Sequence, residues 1–151
     1  MQLGSLIQPG LIFPDLPAAD RPQLLRVFAE RIAAHGLTGD AEELYRKLWE
    51  REELGSTAIG AGIAIPHCKL SDIQKGIVAL GIVPEGVDFG AADGRPVHLF
   101  FLVLSPSQSA AEHLQVLAAI SRWVKSGQHV ERILQLRDPE AIYDFIRREA
   151  P

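Results

Sequence analysis

A chain of 151 residues, 47% hydrophobic and 23% charged, can bury one ordinary core without disulfides or metal, so a single domain spanning 1–151 is expected. A formal net charge of −4 would not steer it toward nucleic acid or an anionic membrane. No run approaches the roughly 18 apolar residues of a membrane span, no charged segment leads into a long apolar stretch at the N-terminus, and the lone Cys68 forbids an intramolecular disulfide; direct membrane insertion is not expected, and a cytoplasmic location is.

In chain order, residues 1–17 are apolar and broken by Pro9, Pro14 and Pro17, with Leu11-Ile12-Phe13 read as a short extended segment at a sheet edge or packed on the body. Asp20 is a predicted N-cap with Pro22 early in the first turn. Leu24, Leu25, Phe28, Ile32 and Ala33 follow at helical spacing, and Gly36 ends that helix. Asp40 caps a second helix with an apolar face at Leu44 and Leu48, running to about Leu54. Two short apolar runs, Thr57–Ile59 and Ile63–Ile65, are joined by Gly60-Ala61-Gly62, which supplies the positive-φ freedom of a tight hairpin. A continuous strand is predicted over Gly76–Val83, a turn at Pro84-Glu85-Gly86, a short strand at Val87-Asp88-Phe89 and a turn at Asp93-Gly94. Pro96 to Leu104 is the most apolar run and should be the central strand. Ser109-Ala110-Ala111-Glu112 has the spacing of a capping box opening a helix to about Lys125. Shorter helices are predicted over 128–136 and 138–149, the last opened by Asp138-Pro139. Together these elements predict an α/β fold, a mixed central sheet flanked by helices.

The chemistry-bearing positions cluster around the hairpin. Side chains alternate along a strand, so Ile63, Ile65 and His67 should point the same way. His67 then ends an inward-facing apolar row where Pro66 stops backbone donation, a placement that suits an imidazole presenting one nitrogen. His113, one turn into the helix capped by Ser109, shares an inward stripe with Leu117, Ile120 and Val124. Arg51 stands at the end of the second helix, a few residues before the hairpin, either as a phosphate-matching guanidinium or as a surface arginine paired with a carboxylate. Ser56 and Thr57 either add hydroxyl donors or serve the turn. Cys68 should face away from His67, which with the absence of CxxC or HxxxH spacing leaves no expected metal site. His98 reads as a satisfied strand histidine, His35 as a helix C-terminal one and His129 as a helix-start surface residue. No GxxxxGK[ST] and no GxSxG occur, so neither a nucleotide-phosphate loop nor a nucleophile elbow is present.

Arg51-Glu52-Glu53-Leu54-Gly55-Ser56-Thr57, the glycine hairpin and Ile65-Pro66-His67 resemble the phosphorylation-site region of enzyme IIA domains of the bacterial phosphotransferase system, fructose/mannitol type, which includes the nitrogen-regulatory IIA branch. The similarity continues through Val87-Asp88-Phe89, Asp93-Gly94-Arg95-Pro96-Val97 and His113-Leu114, covering roughly residues 5 to 148. The resemblance implies a IIA-like sandwich and a phosphoryl carrier without cofactor. It implies that His67 accepts a phosphoryl group from a histidine-containing phosphocarrier protein, with His113 and Arg51 stabilising it and Ser56 and Thr57 as candidate phosphate binders. A IIB domain or a regulatory target would be the next partner. The absence of a fused IIB or IIC segment in this sequence favours the nitrogen-regulatory branch over a sugar-specific IIA. A regulatory binding module that is never phosphorylated, and a metal-dependent hydrolase built on His67, Cys68 and His113, are the rival readings.

Overall fold

The computed structural model describes residues 2–149, which form six strands and five α-helices around one mixed sheet. After a 3-10 turn at Leu3–Ser5 come β1 (Ile7–Phe13), α1 (Arg21–Ala34) and α2 (Ala41–Glu53). The hairpin strands are β2 (Ala58–Gly60) and β3 (Ile63–Ala64), followed by β4 (His67–Leu70), β5 (Ile77–Val87) and β6 (Val97–Pro106). Then α3 (Ala110–Val124), α4 (Gly127–Gln135) and α5 (Pro139–Glu149) complete the chain.

The strand order is β1-β5-β6-β3-β2, with β4 also on β6. β1 runs parallel to β5, β5 antiparallel to β6, and both β3 and β4 parallel to β6. β6 is central, as its unbroken apolar run requires: a strand covered on both faces has no solvent side to make polar. Alternate residues of the sheet feed two cores. Ala79, Phe100, Leu102 and Leu104 pack with Leu24, Phe28, Leu44 and Leu48 of α1 and α2. Val78, Leu80, Phe101 and Val103 pack with Val116, Ile120, Ile133, Ile142 and Ile146 of α3 to α5.

Local chemistry sets the ends of the first helices as expected. The Asp20 carboxylate accepts from Gln23 N at 2.9 Å, and Asp40 caps α2 by accepting from Glu42 N and Glu43 N at 3.0 and 3.2 Å. Gly36, at φ 73°, ends α1.

Four expectations are corrected. Pro84-Glu85-Gly86 is not a turn and Val87-Asp88-Phe89 is not a separate strand. β5 runs on to Val87 across an irregular step between Ile82 and Val87, because an antiparallel partner strand absorbs extra residues as a bulge. His67 opens β4 rather than ending a strand. Ala64 lies opposite Phe100 and His67 opposite Val103, so the register on β6 is kept across Pro66, whose carbonyl accepts from Val103 N at 3.0 Å. A proline lacks only the donor; its carbonyl still pairs. Ser109 is the N-cap of α3, yet its side chain makes no capping bond. His129 does open a helix, but it is half-buried rather than a free surface residue: its ring stacks on Trp123 at 4.5 Å and its Nδ1 donates to the Trp123 carbonyl at 3.1 Å.

Candidate functional site

The site lies where the C-terminal half of β6 meets β4 and the start of α3. The Gly60-Ala61-Gly62 turn carries three consecutive positive φ angles of 91°, 57° and 82°, folding β2 back onto β3. This delivers the chain to Ile65, whose carbonyl accepts from His67 Nδ1 at 2.7 Å. A carbonyl cannot donate, so Nδ1 carries the proton and Nε2 carries the lone pair. Arg51, in the last turn of α2, donates from Nε to that Nε2 at 3.2 Å, and its NH1 donates to the Gly55 carbonyl at 2.9 Å. The imidazole is thus held at both nitrogens in one tautomer.

His113 faces it across the gap between strand and helix, with the two ring centroids 5.3 Å apart. His113 is buried, and its Nδ1 lies 2.6 Å from the hydroxyl of Ser105 at the end of β6. Burial favours the neutral form of both rings. Desolvation is the main cause of the lowered pKa of His67, with the charges of Arg51 and Lys69 acting in the same direction against the bond to Ile65. Desolvation, then the neighbouring His67 and Lys69, pushes His113 down to about 4. Lys69, two residues beyond His67 on β4, is exposed and shares its face by strand alternation. The arrangement is therefore a neutral nucleophilic nitrogen flanked by a guanidinium, an ammonium and a second neutral imidazole, a set that fits an incoming dianionic group.

The family model described as "Phosphoenolpyruvate-dependent sugar phosphotransferase system, EIIA 2" matches residues 5–149. The chain belongs to that family. It is 36% identical over 147 residues to a "Nitrogen regulatory protein" of Bradyrhizobium diazoefficiens, covering 97% of this chain and 95% of the relative. A protein so described from Pseudomonas aeruginosa is 34% identical over 146 residues, covering 97% and 95% of the two chains. The fold matches the crystal structure of nitrogen regulatory protein IIA-Ntr from Neisseria meningitidis with a TM-score of 0.87 at 26% identity, over 95% of this chain and 98% of that one. The IIA mannitol structure from Escherichia coli shares the fold, with a TM-score of 0.78 at 23% identity over 93% and 98% of the two chains. The mixed-sheet sandwich and the IIA identity read from the sequence are thus both correct.

Within this IIA-type fold, His67, His113 and Arg51 come together from three separate elements. Ser56 and Thr57 are adjacent, but their hydroxyls are engaged in holding the turn. Ser56 donates to the Phe89 carbonyl at 2.5 Å, and Thr57 donates both its hydroxyl and its backbone N–H to the Glu52 carboxylate, the latter at 3.0 Å. Cys68 points into the core on the α1 and α2 side, where burial pushes its thiol up to about 12, so it cannot share a ligand with His67. Among the described residues no group of three or more His, Cys, Asp or Glu side chains is placed to hold a metal ion. His98 donates from Nδ1 to the Pro84 carbonyl at 3.2 Å, and His35 caps α1 while stacking on Phe13 at 5.8 Å.

Sequence reasoning missed three residues. Glu52 is 2% exposed, a buried carboxylate that ties the end of α2 to the hairpin and lies 3.8 Å from Arg21 NH1. Burial raises its pKa against the two bonds from Thr57. Lys69 was recoverable from its i+2 position relative to His67. Ser105 was signalled only by being a hydroxyl at the end of the most apolar strand.

Proposed function

We propose that this protein is a phosphoryl carrier in which His67 Nε2 accepts a phosphoryl group from a phosphohistidine on a histidine-containing phosphocarrier protein. The observation that carries the reading is the double restraint on His67: Nδ1–H on the Ile65 carbonyl, Nε2 facing Arg51. In the transfer the Nε2 lone pair forms the new N–P bond while the electron pair of the donor's N–P bond returns to the donor imidazole. The His67 ring gains positive character, which strengthens the Nδ1–H bond to Ile65. Arg51 Nε–H, which caps the lone pair at rest, passes to a phosphoryl oxygen, and His113 donates to another. Positioning and electrostatics supply most of the catalysis, as is general for phosphoryl transfer.

Leu54, three residues past Arg51, and Leu114, beside His113, are 85% and 67% exposed. Large apolar side chains flanking a charged site favour a protein partner over a free small molecule. The nitrogen-regulatory reading is supported by the two relatives at 36% and 34% identity. In it, the phosphorylation state of His67 governs contact with a regulatory target in the cytoplasm. The alternative, a sugar-specific role donating to a IIB domain, draws support from the 31% identity over 136 residues to a fructose-specific EIIA component of Haloferax volcanii.

The test is incubation with phosphoenolpyruvate and purified phosphocarrier components, assaying acid-labile phosphate on wild type and His67→Ala, with circular dichroism on both. Labelling of the wild type at Nε2 by NMR and its loss in a folded variant are expected. Normal labelling of His67→Ala would overturn the assignment, and a wild type that never labels would favour the purely regulatory binding module.

A further inference from the structure

β6 presents Leu99, Phe101, Val103 and Ser105 in alternation to the face covered by α3. Ser105 is 4% exposed and His113 5%, and Ser105 Oγ to His113 Nδ1 is 2.6 Å. Two proton arrangements are open to such a pair. In one, the serine O–H donates to Nδ1 and the imidazole keeps its proton on Nε2. In the other, Nδ1–H donates to Oγ and the serine proton needs a further acceptor.

Among the described residues Ser105 Oγ has no second hydrogen-bonding partner. The second arrangement therefore strands a buried hydroxyl proton, whereas the first gives that proton an acceptor and leaves the N–H of His113 facing the site. It also decides what His113 shows to the site. A neutral imidazole has one N–H, and with its pKa pushed down to about 4 His113 is neutral near pH 7. With the proton on Nε2 it offers a donor to a phosphoryl oxygen; with the proton on Nδ1 it would offer a lone pair to an anion.

We propose that Ser105 is a positioning residue for phosphoryl transfer, its hydroxyl donating to His113 Nδ1 and so placing the single N–H of His113 on Nε2, toward the group carried by His67. Ser105 moves no proton in the reaction and touches no reacting atom. The inference rests on the reading of His67 as phosphoryl acceptor.

Three measurements on the full chain test it: the tautomer of His113 from ring nitrogen shifts by NMR, the rate of phosphoryl transfer from the phosphocarrier, and the melting temperature, for wild type, Ser105→Ala and Ser105→Thr. Wild-type His113 should be in the Nε2–H form. Ser105→Ala should move it toward the Nδ1–H form and slow transfer roughly tenfold, about the worth of one hydrogen bond to a charged group. Ser105→Thr keeps the hydroxyl and should restore both tautomer and rate. An Nδ1–H tautomer in the wild type would overturn the proposal, as would a folded Ser105→Ala with unchanged tautomer and rate, or a folded Ser105→Thr as slow as the alanine variant. If Ser105→Ala does not fold, the wild-type tautomer and the Ser105→Thr rate decide. A wild type that never labels at His67 would sink the carrier reading instead, and the NMR arm would still report on the serine.

Discussion

His67 and His113 are histidines whose surroundings favour the uncharged ring, and this has consequences for both activity and stability. Only neutral His67 has a lone pair to attack with. Its folded pKa lies below the usual histidine value, so acceptance should persist as pH falls through 6.5 and fail only at lower pH. A pH–rate profile of labelling checks this; loss of labelling at or above pH 6.5 would count against it. For stability, His113 titrates near 6.5 when unfolded and at about 4 when folded. Between those values the unfolded chain binds a proton that the native state excludes. The native state is therefore fully favoured above pH 6.5 and loses stability as pH falls toward 4. From pH 7.5 to 5.0 the loss from this residue should be about 2 kcal/mol. Urea denaturation at the two pH values should show a smaller difference in His113→Gln than in wild type. Arg51 belongs to the same scale. Arg51→Lys keeps the charge but has no Nε–H to face His67 Nε2 while also reaching Gly55. Transfer should slow by at least about tenfold with the melting temperature nearly unchanged, and an undiminished rate would return Arg51 to a structural role.

Between α2 and the hairpin, the joint is the buried Glu52 carboxylate gripping the hydroxyl and N–H of Thr57. The grip holds the descent from α2 into β2, and β2 pairs with β3, which leads directly to His67. Thr57→Val preserves shape and backbone bond but leaves one oxygen of a buried carboxylate without its donor. The expected cost is about 1–3 kcal/mol, read from urea unfolding, with slower acceptance at His67 as the hairpin loosens. Unchanged stability would mean that Glu52 is satisfied by other means.

Across the whole molecule, the sheet must admit a helix layer on each face, and β5 makes room at Gly81. A Cβ there would lie 2.4 Å from Leu16 Cδ1 and 2.5 Å from Phe28 Cζ. Phe28 is fully buried in the core beneath α1 and α2, so its ring has nowhere to retreat. Gly81→Ala should therefore destabilise by about 1–3 kcal/mol through overpacking, lowering the melting temperature by several degrees. A variant that melts with the wild type would show that the layer can shift freely.

The sequence by itself determined the elements whose signals are local: the aspartate caps of α1 and α2, the glycine hairpin, and β6 as the central strand from its unbroken apolar run. Alternation and helical spacing also aimed His67 and His113 inward without reference to distant parts of the chain, whereas Arg51 was picked out by its position before the hairpin, and the roles of all three came from the resemblance to the IIA family. What only the tertiary structure decided depends on a partner strand or on burial. Pro84-Glu85-Gly86 became an irregular stretch within β5 because β6 continues alongside it, and β4 starts at His67 because β6 holds the register through Pro66. His129 was drawn inward by Trp123, a residue of the preceding helix. The nitrogen of His67 that faces the site is set by the Ile65 carbonyl, and the one of His113 that meets a hydrogen bond is set by Ser105. Tautomers follow from which polar atoms are brought within about 3 Å inside a desolvated space, and a one-dimensional pattern holds no such distances.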